Sequence, residues 1–219
     1  MPLGHRGERI TVKLFATLGL GLALALTATM AQAIEEPAYT VERRFDQFEV
    51  RAYAPQRVAE VTVPGPAEEA GNQGFRLLAG YIFGKNKGER KIAMTAPVTQ
   101  AAEPVRIDMT APVSQAPAEG GAFVVRFAMP SQYTLATLPE PLDPQVRLRE
   151  LPPARFAVIR YSGRWTDENY EAHLKILRDG MAEAGLSPRA APVYARYDAP
   201  YVPWFVRRNE ILIEIDPAA

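Results

Sequence analysis

Pro55-Gln56-Arg57-Val58-Ala59-Glu60-Val61-Thr62-Val63-Pro64-Gly65 returns 98 positions later as Pro153-Ala154-Arg155-Phe156-Ala157-Val158-Ile159-Arg160-Tyr161-Ser162-Gly163. The Pro, Arg, Ala and final Gly coincide, and Val61 lies over Ile159. Each copy alternates as a half-buried strand does, and each precedes an amphipathic helix and then further strands. Two copies of one α+β unit give that order, with pseudo-repeats over about residues 39–138 and 145–216. Two such units can pair their sheets into a curved, barrel-like body with the helices outside. The crevice between the halves is then the natural ligand site.

Outward from the first copy, Tyr39–Phe45 and Phe48–Tyr53 alternate as strands around an Asp46-Gln47 turn, behind a short flexible lead, Ile34–Pro37. Ala67–Phe83 has helical periodicity: Ala70, Gly74, Leu77, Leu78 and Tyr81 recur at three- and four-residue steps, with Phe75, Ala79 and Ile82 widening the stripe. Glu68 and Glu69 open it, where the helix dipole favours negative charge, and Gly84 ends it. A second repeat follows: Lys91-Ile92-Ala93-Met94-Thr95-Ala96-Pro97-Val98-Thr99-Gln100 is echoed by Arg106-Ile107-Asp108-Met109-Thr110-Ala111-Pro112-Val113-Ser114-Gln115. Alternation places Met94 and Met109 on an apolar face, as core packing residues. Each proline removes a ladder donor, which predicts edge or bulged strands. Phe123–Met129 reads as another strand and residues 139–144 as a linker. Val146–Leu151 and Arg155–Tyr161 read as strands, Asp167–Ala184 as a second amphipathic helix, and 193–198 and 210–215 as closing strands.

The N-terminus is an address. Arg6, Arg9 and Lys13 precede an apolar run, Leu14–Leu26, and then Ala31-Gln32-Ala33. A basic start, a short apolar stretch and an A-x-A ending predict a signal peptide over residues 1–33, cleaved after Ala33. The run falls short of the roughly 20 residues a spanning helix needs. The expected location is therefore periplasmic or secreted, with no stable membrane insertion after cleavage.

Composition removes several functions. Lys+Arg and Asp+Glu both number 25, so there is no basic excess to hold nucleic acid. Cysteine is absent, which excludes disulfides, thiolate metal sites and covalent haem attachment. Only His5 and His173 are present, too few for a multi-histidine centre. No G-x-S-x-G elbow or phosphate-cradling glycine loop occurs, and the pairs Glu68-Glu69 and Asp167-Glu168 sit where helices begin. No catalytic constellation is visible.

The aromatic residues are more informative. Tyr194, Tyr197, Tyr201, Trp204 and Phe205 crowd a proline-bearing C-terminal loop that runs into Arg207-Arg208. Stiffly held rings suit a flat apolar ligand and arginines suit its carboxylates; the same loop could equally pack on the barrel end with its arginines in structural ion pairs. His173, three residues after Tyr170 and four before Leu177, lies on or beside the buried stripe of the second helix. It reads either as a boundary histidine or as a single axial haem ligand.

Across Tyr81-Ile82-Phe83-Gly84-Lys85-Asn86, Lys91-Ile92-Ala93-Met94-Thr95-Ala96-Pro97-Val98 and Tyr197-Asp198-Ala199-Pro200 followed by Arg207-Arg208-Asn209-Glu210, the chain resembles the SOUL haem-binding protein family. The resemblance runs from about Tyr39 to Ile215 and implies one such domain over residues 34–219. The implied fold is α+β: two β-α-β-β-like repeats forming a distorted antiparallel β-barrel flanked by two α-helices, related to bacterial effector-binding domains. It also implies non-covalent binding of haem or a related porphyrin, in an apolar groove beside the first helix and near the C-terminal loop. Carried onto this sequence, that points to Phe75, Leu78 and Ile82 on the helix and Tyr201, Trp204 and Arg207 on the loop. Histidine ligands in the family lie outside the second helix, so three cases stand: haem without a histidine ligand, His173 as the axial ligand, or a ligand other than haem. The expectation is an exported tetrapyrrole carrier or buffer and not an enzyme. The alternatives are a binding module for another apolar small molecule and a hydrolase on the same scaffold. The hydrolase would need a groove carboxylate of raised pKa.

Overall fold

The computed structural model describes residues 35–88, 106–199 and 201–216. The expected signal peptide, the Lys91–Gln100 copy with Met94, and Pro200 lie outside them. Alternating sequences become strands β1 (Tyr39–Arg44), β2 (Glu49–Tyr53), β3 (Gln56–Pro64), β4 (Val113–Pro117), β5 (Ala122–Ala128), β6 (Arg147–Leu151), β7 (Ala154–Tyr161), β8 (Val193–Arg196) and β9 (Asn209–Ile215). The two periodic segments become α1 (Ala67–Ile82) and α2 (Asp167–Glu183). Thr166 caps α2 by accepting a hydrogen bond from the Asn169 amide, satisfying one of the helix's orphan donors. Among the described residues, no helix is long and apolar enough to cross a membrane.

All nine strands form one curled antiparallel sheet, an open half-barrel, in the order β1-β2-β7-β9-β8-β4-β5-β3-β6. The middle pair is β8 with β4. Reading outward from it, β9, β7 and β2 on one side match β5, β3 and β6 on the other. The two quoted copies, β3 and β7, thus take equivalent places. Each carries as its outer neighbour a strand from the other half of the chain: β6 on β3, and β2 on β7.

The period of two sends alternate residues to opposite faces. On the outer face α1 lies on β3 and β5, where Leu78, Tyr81 and Ile82 pack with Val61, Val63, Val125 and Phe127. On the other side α2 lies on β7 and β9, where Tyr170, Leu174, Leu177 and Met181 pack with Val50, Ile159, Ile211 and Ile213. At Gly74 a Cβ would stand 2.5 Å from a Val125 methyl, so α1 can approach β5 this closely only with glycine there.

Four sequence expectations are corrected. The lead is anchored: the Glu35 carbonyl accepts from the Ala111 amide, its carboxylate accepts from the Ser131 amide, and Glu36 accepts two hydrogen bonds from Arg208 at 2.8 and 3.0 Å. The stretch 106–112 is not a strand, because the Thr110 hydroxyl and Ala111 amide bond to Ala128 and Glu35 across the chain. Ile107 is buried there, but Met109 is 38% exposed and not a core residue. β4 is also central in the sheet. It tolerates prolines because Pro112 precedes its ladder and Pro117 ends it. Residues 139–144, finally, are no free linker: Tyr81 Oη donates to the Pro139 carbonyl at 2.9 Å, and the Lys87 and Leu142 amides bond to Glu140 and Lys85.

The concave face carries charge in satisfied clusters. Glu60 accepts from Arg126 at 2.9 Å and Arg149 at 3.0 Å. Burial pushes its pKa up, but the hydrogen bonds and charges of these two arginines outweigh burial and hold it below the ordinary 4.5. A carboxylate depressed in the folded state stabilises fully above its unfolded pKa, and that contribution disappears as pH falls through the folded value. Urea midpoints measured downward from about pH 5 are therefore expected to fall more steeply for the natural protein than for Glu60→Gln. Parallel declines would contradict the assignment.

Candidate functional site

Val193-Tyr194-Ala195-Arg196 alternates, and Ala195 faces the concave side, so Tyr194 and Arg196 point to the helical face. Tyr194 stacks on Tyr170 of α2 with ring centroids 3.8 Å apart. Arg196 lies between α1 at Gly71 and the ring of Trp165, its guanidinium carbon 4.8 Å from the ring centroid. That guanidinium has no hydrogen bond or ion pair with any described residue. Burial lowers its pKa from the ordinary arginine value, against the opposing charges of Tyr161, Glu68 and Tyr194. A half-buried guanidinium without an acceptor is costly unless an anion completes it.

Trp165 is the platform of the site. Its indole N–H donates to Asn209 Oδ1 at 2.7 Å, and the Asn209 side-chain amide donates to the Gly163 carbonyl. The Gly163 amide in turn bonds to the Trp204 carbonyl at 3.0 Å, tying the loop after β7 to the loop between β8 and β9. Arg207 lies 4.6 Å from the Trp165 ring centroid, and its Nε donates to the Val202 carbonyl at 2.8 Å. Two cations thus lie against one indole, an arrangement that the electron-rich ring face favours. A third, Arg164, lies over Trp204. The segment beyond presents an apolar patch to solvent: Tyr201 is 89% exposed, and Trp204, Phe205 and Val206 are exposed too. Exposed apolar patches are where soluble proteins commonly meet ligands or partners.

The structure divides the sequence-predicted residues. Tyr201, Trp204 and Arg207 share this loop, and Arg207 meets Trp165 as described. Phe75 is 38% exposed and lies edge-on to buried Phe127 at 5.4 Å, on the flank of α1 where the helix meets the sheet. Leu78 and Ile82 are fully buried in the α1 core. They turn inward because the stripe at Ala70, Gly74, Leu78 and Tyr81 is the one that meets the sheet, so neither presents its side chain to a surface groove. His173 sits on the flank of α2, stacked on Tyr161 at 4.3 Å, with Nδ1 2.7 Å from the Asn169 carbonyl. That contact places the proton on Nδ1 and leaves only Nε2 as an acceptor. Among the described residues no cluster of three His, Cys, Asp or Glu could hold a metal ion.

Trp165 and Arg196 escaped the sequence reading. Arg196 carried a usable signal, since alternation puts it on the same face as Tyr194, where an arginine is out of place. Trp165 carried almost none: it falls in a short Ser-Gly-Arg-Trp-Thr connection.

A cavity of about 110 Å³ on the concave face is bordered by Tyr53, Phe156, Tyr197 and Leu212. Ligand pockets for drug-sized molecules span roughly 300–1,000 Å³, so this space is too small for a tetrapyrrole.

A family model described as SOUL heme-binding protein matches residues 34–214. Heme-binding protein 2 of Mus musculus is 26% identical over 196 residues, covering 84% of this chain and 91% of that protein. Heme-binding protein 2 of Homo sapiens is 27% identical over 187 residues, covering 83% and 86%. Among solved structures, the EcmrR C-terminal domain superposes with a TM-score of 0.53 at 9% identity, over 78% of this chain and 98% of that one. A hydrolase from Listeria innocua gives 0.52 at 9% identity, over 80% and 94%. At such identity the two structures speak for the fold alone.

Proposed function

Since the chain belongs to the SOUL haem-binding protein family, we propose that it binds haem or a related porphyrin non-covalently on the Trp165 platform, as an exported carrier or buffer. The observation that carries this reading is Arg196, a half-buried cation that forms no ion pair with a described residue, against an indole that Arg207 also faces. Haem, when bound, supplies a planar apolar surface, two propionate carboxylates and an iron centre. The platform's own residues match the first two: Trp165, Trp204 and Tyr201 offer ring surface, and Arg196 and Arg207 offer cations for carboxylates. Burial of the macrocycle's apolar area supplies affinity at about 25 cal/mol per Å². The hydrolase alternative needs a carboxylate of raised pKa, whereas Glu60 is held low and Glu210 is saturated with donors.

Titration with haem, followed at the Soret band, is expected to saturate at micromolar ligand. Arg196→Gln is expected to weaken binding about tenfold, the loss of one charge-assisted contact of about 1.4 kcal/mol. Affinity unchanged in Arg196→Gln would remove the platform from consideration. His173→Ala is expected to leave the Soret position unchanged, because the ring already serves the α2 flank through Tyr161 and Asn169; a shifted band would make His173 the axial ligand. N-terminal sequencing of exported protein is expected to begin at Ile34, and a chain beginning at Met1 would refute the export reading.

A further inference from the structure

The 110 Å³ concave cavity has a chemistry of its own. Tyr53, Phe156, Val193 and Leu212 make most of its wall apolar, and Pro37 of the anchored lead closes one side. Its only charged lining residue is Arg126. The Nε of Arg126 donates to Glu60, and its two terminal amino groups have no partner among the described residues. Ser114 is the direct cross-strand neighbour of Arg126 in the β4–β5 ladder, and its hydroxyl also has no partner there. Arg51, the buried arginine on this side, donates to Glu49, Tyr53 and Glu210. Free donors of positive sign thus meet hydrocarbon walls in a space on the order of the benzene-binding cavities known in proteins, about 150 Å³.

We propose that the concave cavity is a second small-molecule site, distinct from the Trp165 platform on the helical face, and that it takes a one-ring carboxylate. Its carboxylate accepts from the Arg126 terminal amino groups and the Ser114 hydroxyl, and its ring lies against Phe156 and Leu212. A cation of the same shape is excluded, because the donors at this end of the cavity are positive or neutral.

The test is titration of the protein with sodium benzoate, followed by the methyl NMR signals of Val193 and Leu212, with benzylamine as the cationic counterpart. Benzoate is expected to shift both methyl sets saturably, with a dissociation constant on the order of 1 mM or below, and benzylamine to leave them in place. Arg126→Gln is expected to weaken benzoate at least tenfold. Should that variant not fold, Ser114→Val, which leaves the Arg126–Glu60 pair intact, is expected to weaken it severalfold. Haem titration of the folded variants is expected to match the natural protein, so this site and the platform fail or stand separately. Unsaturated benzoate shifts, equal binding of benzylamine, or full benzoate affinity in the folded variants would overturn the proposal.

Discussion

Glu210→Ala is expected to destabilise the fold by about 3–5 kcal/mol, the usual effect of removing one partner from a buried ion pair. The Glu210 side chain is wholly buried. It accepts from Arg51 at 3.0 Å, from Arg208 at 3.1 and 3.0 Å, and from the Tyr197 hydroxyl at 2.8 Å. Burial first, and then the Glu210 charge, push the Tyr197 pKa well above its ordinary value, keeping the hydroxyl a donor. Without the carboxylate, Arg51 keeps Glu49, the Tyr53 hydroxyl and the face of the Tyr39 ring, and the Arg208 guanidinium keeps Glu36 and the face of the Tyr197 ring. The Arg51 side chain is only 5% exposed, so its loss of Glu210 is a nearly stranded charge and not merely a missing bond. Glu210→Gln, which keeps an acceptor but loses the charge, is expected to fall between. Urea unfolding of the three proteins at neutral pH measures this, and a loss under about 1 kcal/mol for Glu210→Ala would mean that the cluster contributes as weakly as a surface pair.

Leu78→Ala is expected to cost about 2–5 kcal/mol, as truncation of a fully buried leucine does. Leu78 has no exposed surface and packs in the core beneath α1. Measured well below its lowered melting temperature, the variant is expected to bind haem as the natural protein does. Trp165→Ala is expected to show the reverse, losing haem affinity with a smaller loss of stability because Trp165 is only partly buried. If Leu78→Ala were to abolish haem binding while still folded, the ligand would have to enter beneath α1.

The expectation for Leu78 shows where the sequence was legible and where it was not. Periodicity placed Leu78 on the stripe of a helix, and it is there; a resemblance placed it against a ligand, and the same stripe turns it to Val61 and Val125 instead. Strand and helix identity needed only local alternation, so the copies at Val58–Val63 and Arg155–Tyr161 could be read directly. The path of residues 106–112 depended on distant partners: Glu35 takes the Ala111 amide and Ala128 takes the Thr110 hydroxyl. No local pattern encodes either contact. The anchoring of the lead by Arg208 was hidden for the same reason, since Glu36 and Arg208 lie at opposite ends of the chain. Within the candidate site, the placing of Tyr201, Trp204 and Arg207 in one loop was legible, whereas Trp165 and Arg196 meet only after α2 has folded back.

The exchange of outer strands makes the two repeats unable to part company. If the peptide were severed between Glu140 and Asp143, the first fragment would hold β3 without β6, and the second would hold β7 without β2. Each piece would expose a raw sheet border shaped for the strand the other had carried away. Such pieces could regain order only as an interlocked heterodimer, so neither repeat is an autonomous folding module. A ligand bound to one half would stiffen the other through strands that belong to both.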